Sequence, residues 1–170
     1  MGGPHATGYW ENVIKNDEVD FVFRGESEVD FSLFLDRVYD GSQDYLGIEG
    51  IVFKGKDSSV SEGTVTLIDN LDTIKLPDYD AIQLKNYIDL GYRYLTGEKN
   101  NAPIWVTRGC PYRCEYCASP MISGKGVRKH SSKYLINWIK ELKERYGIKH
   151  INIIDDNFTF DVRYAKKVCS

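Results

Sequence analysis

The amino-acid sequence predicts an α/β protein. Two observations carry this. Residues 103–170 alternate strand, helix, strand and helix at lengths that suit a parallel βα repeat. Residues 1–76 run helix, strand, helix and then small strands, which is the pattern of the tail of another α/β unit. Apolar residues make up 42% of the 170 and charged residues 28%, which suits a soluble globular chain and excludes a disordered one.

Taken in order, Gly2, Gly3 and Pro4 predict a tight turn, followed by a helical stretch with Trp10, Val13 and Ile14 at helical spacing. Residues 19–23 (Val, Asp, Phe, Val, Phe) predict a short strand. Residues 28–40 predict a helix with Val29, Phe31, Leu33, Phe34, Leu35 and Val38 as its apolar stripe and Gly41 as its C-terminal cap. Residues 48–53 and 63–68 predict strands around a polar, Gly/Ser-rich turn. Residues 77–102, rich in Tyr and Asp and carrying Gly91 and Gly97, have weak periodicity and are expected to be a connector.

The third segment opens with a strand at 103–107, followed by a loop holding Gly109, three cysteines, Pro120, Gly124 and Gly126. Ser131 or Ser132 caps a helix that runs to about Tyr146, with Leu135, Trp138, Ile139, Leu142 and Tyr146 on one face and Gly147 ending it. Residues 150–154 predict a strand, Asp155, Asp156 and Asn157 a turn, and a last helix begins near Asp161.

The net charge of −3 gives no general attraction to nucleic acid or an anionic membrane. No apolar run has the length of a membrane span, and the N-terminus has neither the basic start nor the apolar stretch of a signal peptide, so the expected location is the cytoplasm.

Four cysteines are present: Cys110, Cys114, Cys117 and, far from them, Cys169. Clustering of three favours a metal or redox site over a disulfide framework. Their spacing is C-x3-C-x2-C. Thiolates are soft ligands that select iron–sulfur clusters, zinc or copper(I). A 4Fe-4S cluster takes four cysteines, so three leave one iron open, as a catalytic site requires. The loop also follows a strand and precedes a helix, which in a βα barrel is the catalytic face. Two other readings compete. The positions i, i+4 and i+7 also describe one face of a helix with inert thiols, but Gly109 and Pro111 oppose a continuous helix there. A zinc site needs a fourth ligand, such as His130 or Cys169, and there is no second cysteine pair. Cys169 reads as a buried small residue on the last helix.

With Tyr116 as the aromatic before the last cysteine, and Arg108, Gly109, Cys110, Pro111, Tyr112, Arg113 and Cys114 leading in, the loop resembles the signature of radical SAM proteins. The resemblance implies that Cys110, Cys114 and Cys117 bind three irons of a 4Fe-4S cluster, and that S-adenosylmethionine chelates the fourth and is cleaved reductively. It places Tyr116 beside that cofactor. Ile154, Asp155, Asp156, Asn157, Phe158 and Thr159 resemble the acidic strand end of cobalamin-type radical SAM proteins, where an acidic group pairs with the methionyl ammonium. Asp155 and Asp156 are both candidates, and the competing reading is a solvated turn. Lys125 and Arg128 read as a solvated loop.

Gly2, Gly3, Pro4, His5, Ala6 and Thr7, with Arg24, Gly25, Glu26, Ser27 and Glu28 after the next strand, resemble the C-terminal part of the cobalamin-binding domain that precedes many radical SAM cores. In that Rossmann-like domain Gly2 and Gly3 would let the backbone approach the nucleotide tail of cobalamin. His5 and Glu26 read as structural, and none of His5, His130 or His150 lies in a cobalt-ligand motif.

The resemblance therefore implies a partial cobalamin-binding domain (1–76), a linker (77–102) and the first βα units of a partial TIM-type radical SAM barrel (103–170). A full barrel takes about 250 residues. The expectation is a piece of a longer enzyme, inactive or unstable alone, and a cooperatively folding 170-residue monomer would count against it. The implied chemistry is cobalamin-dependent methyl transfer to a small-molecule or peptide substrate, with flavodoxin or ferredoxin as the one-electron donor. A radical SAM enzyme without cobalamin, such as a methylthiotransferase, and a non-catalytic zinc or iron–sulfur module are the alternatives.

Overall fold

The structure, a computed structural model, describes residues 1–55, 60–90 and 97–170. The helices are α1 (Pro4–Gly8), α2 (Trp10–Val13), α3 (Glu28–Tyr39), α4 (Leu84–Asp89), α5 (Ser119–Ile122), α6 (Ser132–Tyr146) and α7 (Val162–Cys169). The strands are β1 (Phe21–Phe23), β2 (Ile51–Lys54), β3 (Val60–Glu62), β4 (Asn101–Ile104), β5 (Thr107–Arg108), β6 (Arg128–Lys129) and β7 (His150–Ile153). They form two compact units: residues 1–69 with 109–126, and residues 70–108 with 127–170.

In the first unit, β-branched and aromatic residues build an antiparallel sheet in the order β1-β2-β3, with Val22 opposite Val52 and Val52 opposite Glu62. Ala6, Val13 and Ile14 from α1, α2 and the residue after α2 pack on Val22 and Val52. Phe23, Phe34, Ile48 and Ile51 form a second core, edged by the rings of Phe21 and Tyr45. Met1 adds to this sheet in the parallel sense: its amino group donates to the Phe21 carbonyl (2.6 Å), and its carbonyl accepts from the Phe23 N–H (2.8 Å).

Two expectations are corrected here. No strand forms at 63–68. The Gly63 N–H still reaches the Ile51 carbonyl (2.8 Å) and the Thr64 carbonyl still accepts from the Gly50 N–H (2.9 Å), but by Ile68 the backbone N–H goes to the Glu26 carboxylate (2.9 Å) instead of to a strand. The third strand is instead Val60–Glu62, and residues 56–59 of the expected turn lie outside the described residues. The apolar stripe of α3 is also narrower than the sequence suggests. Phe34 is buried, whereas Val29, Phe31, Leu33, Leu35 and Val38 remain 45–50% exposed. At 3.6 residues per turn those side chains encircle the helix, and a three-stranded sheet covers only one side of it.

The second unit holds the parallel pair β4·β7, in register from Asn101 opposite His150 to Ile104 opposite Ile153, and the short antiparallel pair β5·β6. α6 begins where the Ser131 hydroxyl accepts from the Tyr134 N–H (3.1 Å). It ends at Gly147, whose φ of +65° is open to glycine at little cost. Leu135, Trp138 and Leu142 are buried, on the face that the periodicity predicted. They pack against Ala102, Ile104, Val106 and Ile148. The expected connector also contributes. Tyr79 and Leu84 lie in this core, and the Trp138 indole N–H donates to the Tyr79 hydroxyl (2.6 Å). α4 lies within the same stretch, and residues 91–96, including Gly91, lie outside the described residues. α7 starts where the Asp161 carboxylate accepts from the Tyr164 N–H (3.0 Å). Among the described residues no helix is long and apolar enough to cross a membrane.

His130, only 3% exposed, stacks on Tyr134 and holds Asp72 through Nδ1 at 3.2 Å. Burial pushes the imidazole below its ordinary 6.5, against the pull of Asp72 and with a smaller push from the Arg108 charge. Burial pushes Asp72 up, but hydrogen bonds from Ser131 and His130 outweigh it and leave the carboxyl below its ordinary 3.8. Both depressed values have the same sign: stability is full above the unfolded-state pKa and is lost as pH falls through the folded one. The melting temperature is therefore expected to drop as pH is lowered below about 6.5, and His130→Phe should flatten that slope. Ser131→Ala should cost about 1 kcal/mol in chemical denaturation through loss of the α6 cap.

Candidate functional site

The chain leaves β5 at Arg108, runs through the cysteine loop and returns at β6, where Thr107 pairs with Lys129 and Arg108 with Arg128. The neck of the loop is fixed by Gly109. Its φ is +91°, and a Cβ there would stand 2.3 Å from the Gly126 carbonyl oxygen and 3.0 Å from that of Ser123. Such approaches exclude any side chain. The next residue, Cys110, donates its N–H to the Gly124 carbonyl (3.2 Å). Cys117 closes a turn onto the Cys114 carbonyl (3.0 Å).

Residues 110–118 contain no helix, so the reading of the three cysteines as a buried helix face does not hold. Cys110 is half-buried, and Cys114 and Cys117 are exposed; all are free thiols. Tyr116 is 92% exposed. The arrangement brings the cysteines onto one loop within one unit. Among the described residues no three His, Cys, Asp or Glu side chains converge to hold a single metal ion. A four-iron cluster makes a different demand, since each thiolate binds its own iron corner. Three reachable soft thiols on an irregular, backbone-braced loop fit that donor set. Of the fourth ligands considered for zinc, His130 is engaged with Asp72, and Cys169 is exposed on α7, not buried as expected.

At the end of β7, Asp155 and Asp156 part company. The Asp155 carboxylate is half-buried and accepts from the N–H of Val106 (2.7 Å), the N–H of Thr107 (2.8 Å) and the Thr107 hydroxyl (2.7 Å). Burial raises its pKa above the usual carboxylate range despite these bonds. Asp156 is exposed. Val106 and Thr107 were not singled out from sequence. A Thr three residues before the first cysteine carries no signal until the strand register places it beside Asp155. Lys125 is exposed and Arg128 lies in β6.

The structure also joins the two glycine-containing stretches of the first unit. The Thr7 hydroxyl donates to the Gly3 carbonyl and accepts from the Gly25 N–H, both at 3.0 Å. Gly2 lies along Phe23, with the Phe23 carbonyl oxygen 3.6 Å from where its Cβ would be. Glu26 is buried, its carboxylate accepts from the Ile68 N–H, and His5 stacks on Tyr9.

Residues 104–169 match the radical SAM superfamily. The uncharacterized methyltransferase PH0819 of Pyrococcus horikoshii is 33% identical over 166 residues, covering 97% of this chain and 34% of its own. The cobalamin-dependent S-adenosylmethionine radical enzyme OxsB, solved with aqua-cobalamin and S-adenosylmethionine, has the same fold over 99% of this chain and 23% of its own (TM-score 0.74, 14% identity). So has the radical S-adenosylmethionine methyltransferase TsrM of Kitasatospora setae, solved with cobalamin and a [4Fe-4S] cluster, over 98% and 32% (TM-score 0.68, 17% identity). The chain thus spans about a third or less of the length of these proteins. The α/β fold is similar to that of radical SAM methyltransferase structures, with the radical SAM match over residues 104–169 and sequence similarity to a methyltransferase along nearly the whole chain.

Proposed function

We propose that Cys110, Cys114 and Cys117 hold a 4Fe-4S cluster, and that the chain is the part of a cobalamin-dependent methyltransferase that carries this cluster and borders the cobalamin. The observation that carries the reading is the loop itself, with three free thiols on a glycine-braced neck. When bound, the cluster supplies a low-potential electron and an open iron corner for S-adenosylmethionine.

The chain's own residues do the rest. Gly109 and the Cys110–Gly124 bond hold the neck in one register, so the thiols are presented without a search through loop conformations. Tyr116 offers an exposed ring to the adenosyl group. Asp156 offers a negative charge to the methionyl ammonium. Gly2 and Gly3 offer backbone without side chains to the cobalamin tail. Support for this comes from Met1, whose parallel bonds to β1 place the glycines just after a strand-like residue, where Rossmann-like folds bind ligands. The domain division is then a cobalamin-binding part ending near residue 76, a linker to 102 and a barrel part from 103. The substrate is a small molecule or peptide, the electron donor a flavodoxin or ferredoxin, and the setting the cytoplasm.

Anaerobic reconstitution with iron and sulfide tests the reading. The expected product is a brown protein with close to four irons per chain. Cys110→Ala, Cys114→Ala and Cys117→Ala should each lose most of that iron, and an iron-free wild-type chain would refute the proposal. Adding S-adenosylmethionine to the reduced protein should change its electron paramagnetic resonance spectrum. Gly109→Ala, which leaves every thiol in place, should still cut iron uptake severely, because its methyl group collides with the Gly126 carbonyl. Retention of added cobalamin through desalting separates the cobalamin-dependent reading from a radical SAM enzyme that works without it.

A further inference from the structure

β4 and β7 stay in register to Ile104 and Ile153, and the Ile154 N–H still reaches the Ile104 carbonyl (3.0 Å). There the parallel ladder stops. The next backbone donors on the β4 side that need partners are those of Val106 and Thr107, both fully or almost fully buried. The Asp155 carboxylate takes both, one on each oxygen, and takes the Thr107 hydroxyl as well. The Val106 carbonyl also accepts from the His130 N–H (3.1 Å), and Thr107 pairs with Lys129. Residues 106–107 are thus held both by Asp155, just past β7, and by Lys129 and His130 at β6, and Arg108, Gly109 and Cys110 follow directly in the chain.

We propose that Asp155 is a positioning residue for the cysteine loop and not a ligand of the cofactor. It extends the β7 ladder by a side chain and sets the strand end from which the loop departs. Three of its roughly four lone-pair directions are already taken by its own strand partners. Sequence alone gives Asp155 and Asp156 equal standing; the register of β4 on β7 separates them. The inference rests on the reading of Cys110, Cys114 and Cys117 as cluster ligands only for its consequence, since the clamp itself is independent of any cluster.

Hydrogen exchange on the metal-free chain, followed by iron uptake on reconstitution, tests it. In Thr107→Val, amides 106–117 should exchange about tenfold faster, the scale of one lost hydrogen bond, while those of α6 keep their wild-type rates. Iron uptake should fall with it, and Thr107→Ser, which keeps the hydroxyl, should restore both. Asp155→Asn should show the larger effect of the same kind. Wild-type exchange in both Thr107→Val and Asp155→Asn overturns the proposal. So does an Asp155→Asn protein that keeps its iron and loses only S-adenosylmethionine affinity. If Asp155→Asn fails to fold, the Thr107→Val and Thr107→Ser pair decides. If even the wild-type chain takes up no iron, the cluster reading falls, and the exchange rates still decide whether the clamp exists.

Discussion

The second unit depends on how buried backbone donors are met where a parallel pair of strands ends. A two-stranded ladder leaves N–H groups without partners as soon as one strand turns away, and a buried unmet donor costs about 1–3 kcal/mol. At Val106 and Thr107 the Asp155 carboxylate, just past the end of β7, fills the gap. That one side chain lets β4 leave its partner and begin a second, antiparallel pairing within two residues. The cysteine loop grows from that second pairing.

A similar economy holds at the start of α6. Asp72 sits in a 3-10 turn and receives both the His130 ring and the Ser131 N–H, while the Ser131 hydroxyl caps the helix. The His130 ring is flanked by Tyr134 and Trp138, and the Tyr164 hydroxyl donates to the His130 carbonyl. One buried histidine, through its ring and its backbone carbonyl, therefore ties the 3-10 turn, α6 and α7 together. Removing its partner carboxylate would leave a desolvated ring among aromatics.

Much of this was legible in the sequence. The periodicity of Leu135, Trp138 and Leu142, bounded by Ser131 and Gly147, gave α6 nearly to the residue, because local capping chemistry and one buried face agree there. The cysteine spacing gave the loop. What escaped was set by partners far along the chain. Residues 63–68 had strand-like composition, but while 63 and 64 keep backbone bonds to their neighbour, the Ile68 N–H goes to the Glu26 carboxylate. Tyr79 and Leu84 looked like parts of a connector, since weak local periodicity says nothing about a Trp some sixty residues on that needs an acceptor. Asp155 and Asp156 are identical in kind and adjacent, so no pattern separates them; pairing of β4 with β7 does.

The collision that bars a methyl group from residue 109 has a consequence for how such a loop tolerates change. Its base is a closed collar, where Gly109 faces the Ser123 and Gly126 carbonyls and Cys110 is bonded to Gly124. Its crown, from Tyr112 to Ala118, is exposed and carries Cys114 and Cys117. The collar sets where the loop starts and where it returns, and the exposed Arg113 and Glu115, which lie between the sulfurs, can change without altering it.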